Sequence, residues 1–114
     1  MPLYIGKPKI VPLPIETVAL QQLSHIIFCN LVYATRPVTF HWTRNGRPIL
    51  LSNDDVRIQN EENFSLLKFN KLQRNDSALY TCNVRDVHGT ESTFTKLIVK
   101  CKYTIEEAFK MLIR

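Results

Sequence analysis

Apolar and polar residues alternate with a period of two along most of the chain, the spacing of strands that bury one face and wet the other. In His25-Ile26-Ile27-Phe28-Cys29-Asn30-Leu31 the alternation sets Ile27, Cys29 and Leu31 on one side. In Val38-Thr39-Phe40-His41-Trp42-Thr43 it does the same for Val38, Phe40 and Trp42. Further strands are expected over 56–59, 64–69, 78–85 and 90–100, after two short pieces at 9–11 and 17–20 divided by Pro12 and Pro14. Turn signals stand between them. Asn45-Gly46 is the strongest, because both central residues of a type I′ hairpin turn need positive φ, which asparagine and glycine adopt at least cost. Asp86-Val87-His88-Gly89 predicts a second reversal. Short β-branched and aromatic strands separated in this way predict an all-β sandwich or barrel.

A length of 114 residues suits one domain. With 45% hydrophobic and 22% charged residues, the chain has the composition of a folded domain. No apolar run reaches the ~20 residues needed to cross a bilayer, and Met1 to Ile10 lack the apolar stretch of a signal peptide. The chain is therefore expected to be a piece of a longer protein. Its 15 basic and 10 acidic residues give a net charge of +5. The basic residues are scattered, without the stripe interleaved with aromatics that nucleic acid requires, so no nucleic-acid partner is expected.

Cys29, Cys82 and Cys101 form no C-x-x-C pair, and His25, His41 and His88 are far apart in sequence. A zinc centre is therefore not expected, and a disulfide between two of the three cysteines is the better reading. The chain carries no G-x-S-x-G, H-E-x-x-H or glycine-rich phosphate loop. No catalytic residues and no cofactor are expected, and binding becomes the default function.

Three features select among all-β folds. Trp42 stands 13 residues after Cys29, and Cys82 stands 40 after Trp42. Cys82 also closes Asp76-Ser77-Ala78-Leu79-Tyr80-Thr81-Cys82, a D-x-A-x-Y-x-C pattern. In register these resemble an immunoglobulin domain of the intermediate (I-set) type over residues 8–100, with 1–7 as a lead-in. The resemblance implies two antiparallel sheets joined by a Cys29–Cys82 disulfide, with Trp42 packed against it and a tyrosine corner at Tyr80. It also implies core positions at Leu67, Phe69 and Leu72, and a salt bridge from Arg57 to Asp76 across the bottom of the sandwich. One departure is Leu20-Gln21-Gln22, where many relatives turn on a glycine.

Such a disulfide persists only in an oxidising compartment. Asn63-Phe64-Ser65 and Asn75-Asp76-Ser77 are N-glycosylation sequons, which make Asn63 and Asn75 candidate acceptors. The expected location is extracellular, at a cell surface, with any membrane anchor in other parts of the protein.

In this fold strands B and E adjoin in the A-B-E-D sheet. If Ile27, Cys29, Leu67 and Phe69 point inward, Ile26, Phe28 and Leu66 form an outward apolar cluster flanked by Lys68 and Arg57. A contiguous cluster of this kind suggests a contact surface, unless the N-terminal segment or a neighbouring domain covers it. On the opposite sheet the outward residues are expected to be Thr39, His41 and Thr43, then Leu79, Thr81 and Asn83, then Phe94, Lys96 and Ile98; the alternative reading is a heterophilic ligand-binding or spacer domain that uses this mostly polar G-F-C face or no face of its own.

A closer resemblance lies in Lys7-Pro8-Lys9-Ile10-Val11-Pro12, in the stretch from Pro37 to Gly46, and in the run from Ser65 to Cys82. These are similar to Dscam-type neuronal adhesion receptors of arthropods. That resemblance implies homophilic recognition, the partner being the same protein on an opposing cell, antiparallel through the A-B-E-D sheet. A possible homodimer follows, in which Lys68 or Arg57 needs an acidic counterpart such as Glu61 or Glu62. Residues 101–114 do not fit the domain. Thr104-Ile105-Glu106-Glu107 is a capping box, and Ile105, Ala108, Phe109 and Leu112 recur at helical spacing, so a short amphipathic helix is expected there.

Overall fold

The computed structural model describes residues 6–51 and 55–101; the helix expected after Lys102 lies outside them. The chain forms β1 (Lys9–Ile10), β2 (Glu16–Leu20), β3 (His25–Tyr33), β4 (Thr39–Arg44), β5 (Arg47–Pro48), β6 (Val56–Asn60), β7 (Phe64–Phe69), β8 (Ala78–Asp86) and β9 (Gly89–Lys100). A 3-10 turn, Arg74–Asp76, precedes β8. The strands make a four-stranded sheet ordered β1-β3-β7-β6 and a five-stranded sheet ordered β2-β9-β8-β4-β5.

Prolines explain why the first strand is split. Pro12 and Pro14 have no N–H to give a ladder, so pairing stops after β1 and the chain crosses over. β1 is antiparallel to β3, whereas β2 joins the other sheet, parallel to β9. Asn45 and Gly46 take φ of 50° and 81° in the β4–β5 turn, as the hairpin signal requires. Gln22 takes φ of 76° in the turn after β2. Its N–H donates to the Leu72 carbonyl at 2.9 Å, and the Leu72 N–H donates to the Leu23 carbonyl at the same distance. That pair of bonds holds a non-glycine residue in the left-handed region.

The core lies between the sheets. Cys29 and Cys82 join β3 to β8 in a disulfide, both fully buried. Trp42, Leu67, Phe69, Leu72, Tyr80, Val84 and Leu97 pack around it. Burial alternates strictly along β7, so Ser65, Leu67 and Phe69 point in and Phe64, Leu66 and Lys68 point out. Buried polar atoms find partners. Trp42 Nε1–H donates to Ser65 Oγ at 2.8 Å, and Ser65 Oγ donates to Asn60 Oδ1 at 2.6 Å. The Tyr80 hydroxyl donates to the Asp76 carbonyl at 2.5 Å, and Phe69 meets its ring edge-on. Burial, reinforced by the nearby Asp76 carboxylate and opposed by Arg44, pushes the Tyr80 phenol up to about 12.

The arginine at this corner differs from the expectation. Arg44 reaches it, donating from Nη1 to the Tyr80 hydroxyl at 3.2 Å and from Nη2 to the Asn75 carbonyl at 2.5 Å. Asp76 Oδ2 accepts the Gln73 N–H at 2.7 Å. Arg57 stands opposite Lys68 in the ladder and projects to the outer face of its sheet, beside Ser24 and Ile26. The reason is the strand period: Val56 and Ile58 pack toward the core, so Arg57 between them faces away from Asp76.

At the other end of the sandwich Asp86 ties two loops together. Its Oδ2 accepts the Thr35 N–H at 2.9 Å and its Oδ1 accepts the His88 N–H at 2.7 Å. Burial raises the carboxyl, but these bonds, the His88 charge and the Gly89 N–H outweigh it, and the net shift is below the ordinary aspartate value. A depressed carboxyl stabilises the fold above its unfolded pKa of about 3.9 and loses that contribution as pH falls through its folded value. We therefore expect the stability difference between the native chain and Asp86→Asn to be full near pH 6 and to shrink as denaturant melts are repeated below pH 4. A difference that does not change with pH would show that the carboxylate charge plays no part in the clasp.

Candidate functional site on the outer face of the four-stranded sheet

The strand period that buries Ile27 and Cys29 turns their neighbours outward. Ile26 is 51% exposed and Phe28 47% exposed on β3. The ladder places Ile26 against Lys68 and Phe28 against Leu66 on β7, and Leu66 in turn against Gln59 on β6. Phe64 extends the cluster, its ring edge-on to Phe28 with centroids 5.4 Å apart. β1 pairs with β3 only at its far end, Lys9 with Tyr33 and Ile10 with Leu31. Among the described residues, the N-terminal segment therefore runs along the sheet edge and leaves Ile26 and Phe28 open.

Charge is graded along this face. At the end where β3 begins, Lys68 and Arg57 line a shallow cleft with Ser24, Ile26, Phe69 and Asn70. Burial lowers the pKa of the nearby His25, so its imidazole is neutral at pH 7 and adds no charge there. Lys68 Nζ donates to Gln59 Oε1 at 3.0 Å, and Gln59 Nε2 donates to Glu61 Oε1 at 3.2 Å. These bonds align a cation, an amide and a carboxylate on one side of the sheet. From Arg57 to Glu61 the chain advances four residues, about 13 Å at the strand rise. The face thus carries Arg57 and Lys68 at one end, apolar side chains at its middle and the exposed Glu61 at the other, where the neighbouring Glu62 carboxylate is paired with Arg36 at 3.8 Å.

The two sequons lie at opposite ends of the domain. Asn63 is exposed beside the carboxylates, and its main-chain carbonyl accepts the Leu31 N–H at 2.9 Å. Its Oδ1 accepts from Arg36, which also donates to the Glu62 carbonyl at 2.7 Å. Asn75 is exposed in the 3-10 turn beside Arg44.

The opposite sheet presents the exposed side chains of Leu79 and Phe94, with Lys96 opposite Leu79 and Thr81 opposite Phe94 in the ladder. It also presents Val18 and Leu20, which the sequence reading did not place on this face. β2 sets Val18 beside Ile98 and Leu20 beside Lys100. The alternation in Glu16-Thr17-Val18-Ala19-Leu20 was visible in the sequence; the sheet it joins was not.

A family model for the immunoglobulin domain matches residues 7–86. The chain belongs to the immunoglobulin domain family. Mouse ADAMTS-like protein 1 is 35% identical over 79 residues, which is 68% of this chain and 4% of that protein. This immunoglobulin domain therefore spans only a small part of that relative. Among solved structures, titin domain M7 is 26% identical with a TM-score of 0.72, covering 83% of this chain and 95% of its own. The Dscam1 Ig7 domain, isoform 9, is 21% identical with a TM-score of 0.73, covering 82% of this chain and 99% of its own. Titin and Dscam1 domains lie equally near in backbone geometry, so this likeness is one of fold and does not single out a Dscam-type chain.

Proposed function

We propose that this immunoglobulin domain is an extracellular recognition module that binds a second copy of itself, antiparallel, through the outer face of the β1-β3-β7-β6 sheet. The observation that carries this reading is the order of charges about the apolar centre. A two-fold axis crossing the strands at the level of Phe28, Leu66 and Gln59 sets the Arg57–Lys68 end of one copy over the Glu61–Glu62 end of the other, and sets Phe28 and Leu66 against their own counterparts. A parallel arrangement puts like charges together and is disfavoured. The buried disulfide fits an oxidising, extracellular setting.

The test is sedimentation equilibrium of the full chain, with Cys101→Ser to prevent cross-linking through the exposed thiol. A dimer is expected, and Phe28→Asp is expected to reduce it to monomer. Lys68→Glu alone and Glu61→Lys alone should each weaken the dimer by on the order of tenfold or more. An equimolar mixture of the two should recover it, because both symmetry-related contacts in the mixed dimer are then attractive. A native chain that stays monomeric when refolded from a host that adds no sugar rules the reading out. A dimer sensitive to Phe94→Asp and indifferent to Phe28→Asp moves the contact to the β2-β9-β8-β4-β5 face, where Val18, Leu20 and Phe94 supply apolar area.

A further inference from the structure

We infer that Asn63 carries an N-linked glycan and that this sugar closes the self-association face, so that the glycosylated and bare forms of the domain differ in whether they pair. The inference rests on the homophilic reading above and adds its regulation. Asn63 opens a sequon, is exposed, and lies one residue from Phe64, whose ring abuts Phe28. The sugar joins Nδ2 of the Asn63 side-chain amide, as in any sequon. The transfer takes an oligosaccharide from a lipid-linked pyrophosphate donor: the bond from sugar C1 to the phosphate oxygen breaks, the Nδ2–C1 bond forms, Nδ2 loses one proton, and the lipid pyrophosphate leaves.

Position gives the sugar its effect. In the antiparallel pair the turn holding Glu61, Glu62 and Asn63 lies over the partner copy's cationic end. A bulky hydrophilic group anchored there keeps the cations from the carboxylates and keeps Phe28 from its counterpart. Asn75 lies at the other end of the sandwich, its carbonyl held by Arg44, and a sugar there leaves this face open.

The experiment compares two full-length chains secreted from cells that N-glycosylate, both carrying Cys101→Ser and Asn75→Gln, one with Asn63 retained and the other with Asn63→Gln. A third sample, with Asn63 retained, is refolded from a host that adds no sugar. Enzymatic deglycosylation is unsuitable because the amidase converts the asparagine to an aspartate and adds a carboxylate beside Glu61. Ser65→Ala is unsuitable as well, because the Ser65 hydroxyl accepts the Trp42 N–H. Intact mass and sedimentation equilibrium are read on all three. The expected result is a glycan mass on the first chain only, with dimerisation at least about tenfold weaker than in the two bare samples. Absence of a glycan mass on the first chain overturns the inference whatever the samples do in the centrifuge. A glycan mass with equal dimer constants overturns closure of the face and leaves the homophilic reading standing. Monomers in all three overturn both.

Discussion

Replacing Cys29 and Cys82 together by alanine is expected to lower the unfolding free energy by about 4 kcal/mol. The two residues are 53 apart in sequence, and their bond cross-links β3 of one sheet to β8 of the other. Without it the unfolded chain regains the entropy of an open loop of that length, and the cost grows with the logarithm of the loop. A domain of this size has a total stability of about 5–15 kcal/mol, so the loss takes about a quarter of it or more. Urea melts of the double variant against the native chain should show the midpoint fall and the slope rise, because an uncrosslinked chain exposes more surface on unfolding. A loss under about 1 kcal/mol would mean that the unfolded chain stays compact around Trp42 even without the bond.

Leu67→Ala and Leu66→Ala should part company although the residues are neighbours. Leu67 is fully buried beside the disulfide, and its truncation is expected to cost about 2–5 kcal/mol through lost transfer energy and an unfilled cavity. Leu66 lies on the outer face opposite Phe28, and its truncation should cost less than about 1 kcal/mol in the monomer while weakening the dimer. Denaturant midpoints and sedimentation equilibrium on both variants separate the two effects. Reversed effects would place β7 one residue out of register and turn its apolar set to the other side.

The core was the most legible part of the molecule, because the resemblance carried by Cys29, Trp42 and the D-x-A-x-Y-x-C run ending at Cys82 implied the disulfide, the tryptophan beside it and the corner at Tyr80. Facing was legible wherever alternation was strict, as for Ile26, Phe28 and Leu66. The same rule applied to Val56-Arg57-Ile58 already pointed Arg57 outward, and the family pattern of an arginine bridged to Asp76 obscured it. Arg44 was harder to foresee, since it reaches the tyrosine corner from a hairpin that precedes Asn75 by 31 residues. The sheet joined by β2 depends on a parallel pairing with β9, some 80 residues on, which no local pattern encodes. The left-handed Gln22 likewise depends on a distant partner, Leu72. Each of Arg57, Lys68 and Glu61 could be named from the sequence, but their alignment as a polar gradient needed the β6–β7 register and the Gln59 bridge.

The parallel pairing of β2 with β9 bears on how the domain carries tension. β2 runs toward the same end of the sandwich at which β9 leaves it, Leu20 lying beside Lys100. Pulling the two chain ends apart drags these strands past each other along their length. Their mutual bonds, from Ile15–Lys96 through Gln21–Lys100, are then loaded together in shear rather than opened one after another like a zipper.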